Sequence, residues 1–375
     1  MVRILHLGDL HLDSPFSGKS KEAAARMNAK AREVFRAAMR FARERAVDIV
    51  LLAGDLFDRE YYAPATVKML CDEMAALPEC RFVISPGNHD CYTAHSPYRT
   101  QRFSANVYIF EKKEIDSVVF PELHTEVYGY AFCAPSYTEE PLCGFRVKEE
   151  GRLNLLCAHG EISTVSQYAP IRESSLAESG LDYAALGHIH ACEPICRAGN
   201  TQYAYSGCLY GRDFGETGAK GGVLISAEWD GERKRVSAER VTLCPWEFWD
   251  IAVNVTGFDR VEQVVARAKE LLPPADAIVT ERYIRIALEG RTAEEWSLPT
   301  LSVALASLGD VTLCDETLCE ISFAELEKDY TVRGAFYRAL KPRLEAMDAE
   351  ERRTAQTALR MGLYALEGGN PAEAE

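Results

Sequence analysis

Residues 2–13 read VRILHLGDLHLD, an apolar run that breaks at Gly8 into Asp9-Leu-His11. The same construction returns four times: DIVLLAGDLFD at 48–58, RFVISPGNHD at 81–90, LNLLCAHG at 153–160 and YAALGHIH at 183–190. Each apolar run has the length of a strand, and each ends in some mixture of glycine, aspartate, asparagine and histidine. Helix-like stretches from Lys21 to Arg45 and from Pro64 to Ala76 fall between the first three runs. Strands alternating with helices indicate βαβ units and a largely parallel sheet. Further runs at 106–110, 127–132, 202–207 and 222–229, with fewer helices between them, predict a second sheet packed on the first. The polar ends then share the carboxyl edge of the strands, where ligand sites of α/β sheets gather.

Five of the eight histidines fall in the polar ends of these runs, at His11, His89, His159, His188 and His190. Taken singly each motif has a bland reading, since Gly-Asp is common turn chemistry and strand-end aspartates often cap helices. Five in order, each after a strand, point to one metal centre. Imidazoles, carboxylates and one amide suit manganese, iron or zinc, and a shell without thiolate argues against a purely structural zinc. Two ions roughly 3.5–4 Å apart need a ligand that touches both. Asp55, at the strand-end Gly-Asp in the middle of the motif order, is the carboxylate expected to bridge.

Taken together, Asp9-Leu-His11, Gly54-Asp55-Leu-Phe-Asp58, Gly87-Asn88-His89-Asp90, His159-Gly160 and Gly187-His188-Ile-His190 resemble the motifs of the calcineurin-like metallophosphoesterase superfamily, over roughly residues 1–245. Within it, LHLGDLHLDSPF at 5–16, the GDLFD form and YSGCLYGRDFGE at 205–216 are similar to the SbcD and YhaO group of DNA repair exonucleases. The resemblance implies an α/β fold: a four-layer α/β/β/α sandwich with a small α+β capping domain and C-terminal helices. It assigns Asp9, His11 and His190 to a first ion, Asn88, His159 and His188 to a second, and Asp55 to both. His89 becomes the catalytic group that protonates the leaving oxygen, with Asp90 orienting it or a neighbouring group. The reaction implied is in-line hydrolysis of a phosphodiester by a two-metal-activated hydroxide, with manganese the expected metal and iron or zinc the other candidates. Two positions depart from the group's pattern: Asp58, where some members carry histidine, and Cys208, where serine is usual.

The substrate is read as DNA. Of Arg59, Arg99, Arg102, Arg172 and Arg212, which lie near the motifs in sequence, Arg212 is the favoured substrate contact. The net charge of −15 works against a nucleic-acid binder, although metal ions and local arginines can compensate at a scissile phosphate. It favours the alternative of a small-substrate phosphodiesterase acting on a cyclic nucleotide or similar ester. A protein serine/threonine phosphatase fits less well, because that group ends the third motif in glutamate where Asp90 stands. A non-catalytic scaffold would show missing ligands, and none is missing.

The character of the chain changes near Pro245. The reading divides it into a catalytic domain at 1–245, a DNA-binding capping domain at 246–330, and C-terminal helices with an acidic tail at 331–375. Phe336, Leu340, Leu344 and Met347 recur at helical spacing, and Asp348 with Glu351 has the form of a capping box. By resemblance these helices would dock on an SbcC- or YhaN-like coiled-coil ATPase, and a homodimer is a further partner. A hydrophobic share of 47% fits a globular protein, no run is long enough to span a bilayer, and the first residues do not read as a secretory signal. The expected location is therefore cytoplasmic. The 12 cysteines are scattered, so they are read as reduced; Cys192 and Cys196, four apart with no second pair, make a poor structural zinc site.

Overall fold

The computed structural model describes the chain apart from residues 17–19, 59–61, 231–232, 293–295, 320–322, 346–347 and 367–375. Arg59, Met347 and the acidic tail lie outside the described residues. Two six-stranded sheets carry the motifs. In the first, Val2–Leu7, Ile49–Leu52, Arg81–Ile84 and Val107–Ile109 run parallel, and the antiparallel pair Gly221–Asp230 and Arg233–Thr242 extends the edge beside Val2–Leu7. In the second, Thr125–Gly129, Leu153–His159, Tyr183–Gly187 and Thr201–Tyr205 run parallel, with Asp116–Phe120 and Cys196–Ala198 antiparallel at its two edges.

The strands that precede the motifs are buried on both faces, which is why they read as continuous apolar runs rather than alternating ones. Ile4, Ile49, Leu51, Val83 and Ile225 of the first sheet pack against Val127, Leu155, Cys157 and Ala185 of the second. The outer face of the first sheet is covered by helices Lys21–Glu44 and Pro64–Ala75 through Val34, Phe35, Ala38, Leu70 and Met74. The longer helix starts where Ser20 Oγ accepts the Ala23 N–H, and its buried residues recur at helical spacing. The outer face of the second sheet is thinner, covered by the single helix Glu173–Ser179 and by loops. The result is the mixed α/β sandwich that the resemblance implies.

The chain separates into two compact units. The first comprises Met1–Trp249 and Pro274–Tyr283. The second, Asp250–Pro273 and Ile284–Glu375, holds helices Val261–Leu271 and Leu298–Leu305 and strand Asp310–Asp315. Its last helices, Val332–Leu344 and Ala349–Leu366, pack on each other through Phe336, Leu340, Tyr337, Leu359 and Leu363. Asp348 Oδ1 accepts the Glu350 N–H at the start of the final helix. Among the described residues no helix is long and apolar enough to cross a membrane, and the described cysteines whose side chains are placed are unpaired thiols.

Candidate metal centre

Each motif residue stands just beyond, or on the last residue of, a parallel strand, and the carboxyl edges of the two sheets meet there. The first two motif loops are zipped together by their backbones: Asp9 N–H donates to Gly54 O at 3.0 Å, His11 N–H to Asp55 O at 2.9 Å and Leu12 N–H to Leu56 O at 2.9 Å. The second sheet joins through the His188 N–H, which donates to both Asp9 carboxylate oxygens at 3.0 and 3.1 Å. Asp9, His11, Asp55 and His188 all have positive φ (49°, 40°, 52° and 104°). Such conformations are strained for residues with a Cβ and cluster at functional sites. Gly87 is required by close approach, because any Cβ there would collide with the Asp55 carboxylate.

The side chains converge. Ligand atoms of Asp9, His11 and His190 lie within 4.8 Å of one another, as do those of Asp9, Asp55 and His159. His159 Nδ1–H donates to Ala53 O at 3.0 Å, which leaves the Nε2 lone pair facing Asn88 Oδ1 at 2.8 Å and Asp55 Oδ2 at 3.3 Å. Two acceptor oxygens against an unprotonated nitrogen repel unless a cation lies among them. On the other side of Asp55, His11 Nε2 and His190 Nε2 approach to 3.1 Å, while His11 Nδ1 is a buried nitrogen without a hydrogen-bond partner. The His188 ring lies against that of Tyr168, centroids 4.6 Å apart and planes tilted by 38°. This donor set is one that could hold divalent metal ions.

The electrostatics agree. Burial raises the Asp9 carboxyl well above its ordinary range, and the neighbouring Asp55 charge adds to it. Burial likewise lifts Asp55 to about 6. It lowers His11 strongly, and His159 and His188 to about 4, so these rings are neutral near pH 7. Neutral imidazoles beside carboxylates that resist ionisation form a site short of positive charge.

Around this centre the structure assigns several partners. His89 lies at the rim, its ring Nδ1 2.7 Å from Asp58 Oδ1, and Ser14 Oγ–H donates to Asp58 Oδ2 at 3.2 Å. That hydrogen bond from His89, with opposition from partial burial, keeps the Asp58 carboxyl below its usual range. The ring partner of His89 is thus Asp58. Asp90 instead accepts the backbone N–H groups of Asp55 (3.2 Å), Leu56 (2.6 Å), Phe57 (3.3 Å) and Gly87 (2.7 Å), and the Tyr98 hydroxyl at 2.5 Å. Its carboxyl is nonetheless pushed up to about 6 by burial and by Asp55. Arg212 pairs with Glu216, Nη2 to Oε1 at 2.5 Å, and the same Nη2 lies 3.0 Å from His190 Nδ1. Burial works against the Glu216 charge, but hydrogen bonds from His190 and Arg212 hold its carboxyl at about 2. Arg172 pairs with Glu140 at 3.4 Å, Arg99 lies over the Tyr92 ring, and Arg102 is exposed.

Asp58 and Glu216 are the residues whose partners the sequence reading missed. The signal for Glu216 was an acid closing the GRDFGE run four positions after Arg212; for Asp58 it was the carboxylate that closes the GDLFD motif.

The sequence profile of the calcineurin-like phosphoesterase family matches residues 2–192, the span that holds all five motifs. An uncharacterised metallophosphoesterase YhaO of Bacillus subtilis (strain 168) is 29% identical over 319 residues, 79% of this chain and 74% of that protein. The DNA double-strand break repair protein Mre11 of Aeropyrum pernix is 26% identical over 235 residues, 56% of this chain and 54% of its own. That of Methanopyrus kandleri is 23% identical over 206 residues, 50% of this chain and 44% of its own, so the matched region spans about half of each Mre11 protein. A motif-bearing edge that gathers five candidate donor side chains and an amide near one carboxylate, together with a family match over half the sequence, leads to one conclusion: the chain belongs to the calcineurin-like phosphoesterase family.

Proposed function

We propose that this chain is a metal-dependent phosphodiesterase that hydrolyses DNA, with Asp9, His11 and His190 holding one divalent ion, Asn88, His159 and His188 a second, and Asp55 touching both. The observation that carries the reading is the arrangement about Asp55: His159 Nε2 at 3.3 Å on one side and His11 Nε2 at 3.8 Å on the other. Two ions bound there would neutralise phosphate oxygens and make water a better nucleophile near neutral pH.

The chain's own residues supply the rest. Asp58 accepts from His89 Nδ1–H, and its carboxylate lies beside the imidazolium that proton donation requires. His89 Nε2–H then gives its proton to the oxygen that departs as the P–O bond breaks, so no free alkoxide is released. Asp90 keeps the backbone of residues 55–57 in place against Gly87, which fixes the distance from His89 to Asp55.

DNA as substrate is supported by the likeness to two proteins named for double-strand break repair. Manganese is the metal we assign, residues 246–330 are the platform for the strand, and the cytoplasm is the place of action. A coiled-coil ATPase of the SbcC or YhaN kind is the partner proposed for the C-terminal helices, where Tyr330 and Val332 are exposed. A second copy of the chain is the other proposed partner. The net charge of −15 favours a second reading, a small phosphodiester as substrate. The test is manganese-dependent hydrolysis by the purified chain on linear duplex DNA, single-stranded DNA and cyclic nucleotides. Degradation of DNA supports the first reading; turnover of cyclic nucleotides with DNA untouched replaces it by the second.

A further inference from the structure

His190 is held at both ends by a single later segment. Its ring Nδ1 lies 2.8 Å from Glu216 Oε1. Its backbone carbonyl accepts the Cys208 N–H at 3.2 Å and the Lys220 ammonium at 3.3 Å, and Lys220 is buried. Glu216 is immobilised in turn. The Arg212 backbone N–H donates to Oε2 at 2.9 Å, its Nε to Oε1 and Oε2 at 3.0 and 3.2 Å, and its Nη2 to Oε1 at 2.5 Å. Four donated contacts from one arginine on one carboxylate leave that carboxylate a single orientation.

We propose that Glu216, locked by Arg212, is a positioning residue that sets the tautomer and tilt of His190 for the first ion. This rests on the two-ion reading above. Nδ1 stands between Glu216 Oε1 at 2.8 Å and Arg212 Nη2 at 3.0 Å; with its proton donated to the nearer carboxylate, the lone pair of His190 sits on Nε2, the atom facing His11 Nε2 at 3.1 Å and Asp9 Oδ1 at 3.7 Å. A carboxylate behind a ligating imidazole fixes its orientation and increases its basicity. The guanidinium has a second task. It balances the Glu216 charge, so that a further carboxylate can stand near Asp9 with its repulsion offset. Arg212 therefore acts through His190 and not on the phosphate.

The experiment is manganese titration of the full chain by calorimetry, without substrate, on the wild type and on Glu216→Gln and Arg212→Lys. The amide keeps the shape of the carboxylate but removes its charge. In Glu216→Gln the first ion should bind about 10–100-fold more weakly while the second is retained, and excess manganese should restore kcat. Arg212→Lys, which loses the fork, should fall between that variant and the wild type. Should Glu216→Gln unfold, the double variant Arg212→Met with Glu216→Gln removes both charges together and should show the same weakened first ion. Unchanged affinity for both ions in these variants would overturn the proposal. So would a raised substrate KM in Arg212→Lys with metal affinity intact, which is the signature of a phosphate contact. A wild type that binds fewer than two ions would instead overturn the two-ion reading on which the proposal stands.

Discussion

Replacing His89 by alanine should separate chemistry from metal binding. Its ring engages Asp58 and stands at the rim, so calorimetry should still count two manganese ions while kcat falls by about 10²–10⁴-fold. A variant with near-normal kcat would remove His89 from the mechanism. Asp55→Ala should behave oppositely and lose bound metal along with activity, because both ions of the proposed centre would touch that carboxylate. At this scale much of the centre was legible, since Asp9, His11, Asp55, Asn88, His159, His188 and His190 each follow an apolar run and the structure brings them to one edge. What was not legible was pairing between loops. Nothing local tells a reader that Asp58, 31 positions before His89, reaches that ring while the adjacent Asp90 turns inward to backbone amides.

The loops that carry these residues are held by Asp90, which turns the third motif into a clamp on the second. Asp90→Ala leaves four backbone N–H groups and the Tyr98 hydroxyl without their acceptor, and each orphaned buried donor costs about 1–3 kcal/mol. A loss of roughly 3 kcal/mol or more in urea unfolding is expected, together with weakened metal binding; stability within about 0.5 kcal/mol of wild type would contradict the clamp. The strands before the motifs were readable because both of their faces are buried. Arg233–Thr242, RKRVSAERVT, was not, because it is an edge strand whose charged side chains protect an exposed ladder and mask any apolar signal. Asp116–Phe120, at an edge of the second sheet, was missed as well. Its VVF core is too short to distinguish from a loop segment.

Across the whole first unit, His6 links the two sheets. Its Nδ1 lies 3.1 Å from the Tyr183 hydroxyl and its Nε2 3.1 Å from Leu186 O. Burial, against a hydrogen bond to Leu186 O, lowers the ring to about 3 from an ordinary 6.5, so the folded ring stays neutral where the unfolded one takes a proton. This contribution to stability is complete above pH 6.5 and is lost as pH falls from there toward 3, by up to about 1.4 kcal/mol per unit. Urea midpoints of the manganese-loaded protein between pH 7 and pH 5 should fall more steeply for the wild type than for His6→Gln; parallel slopes would refute the assignment.

The central claim is that two ions share Asp55. The direct measurement is anomalous diffraction at the manganese edge from crystals grown with that metal. The account predicts two peaks roughly 3.5–4 Å apart, one against Asp9, His11 and His190, the other against Asn88, His159 and His188, with Asp55 in contact with both. A single peak, or two that do not share Asp55, would contradict it.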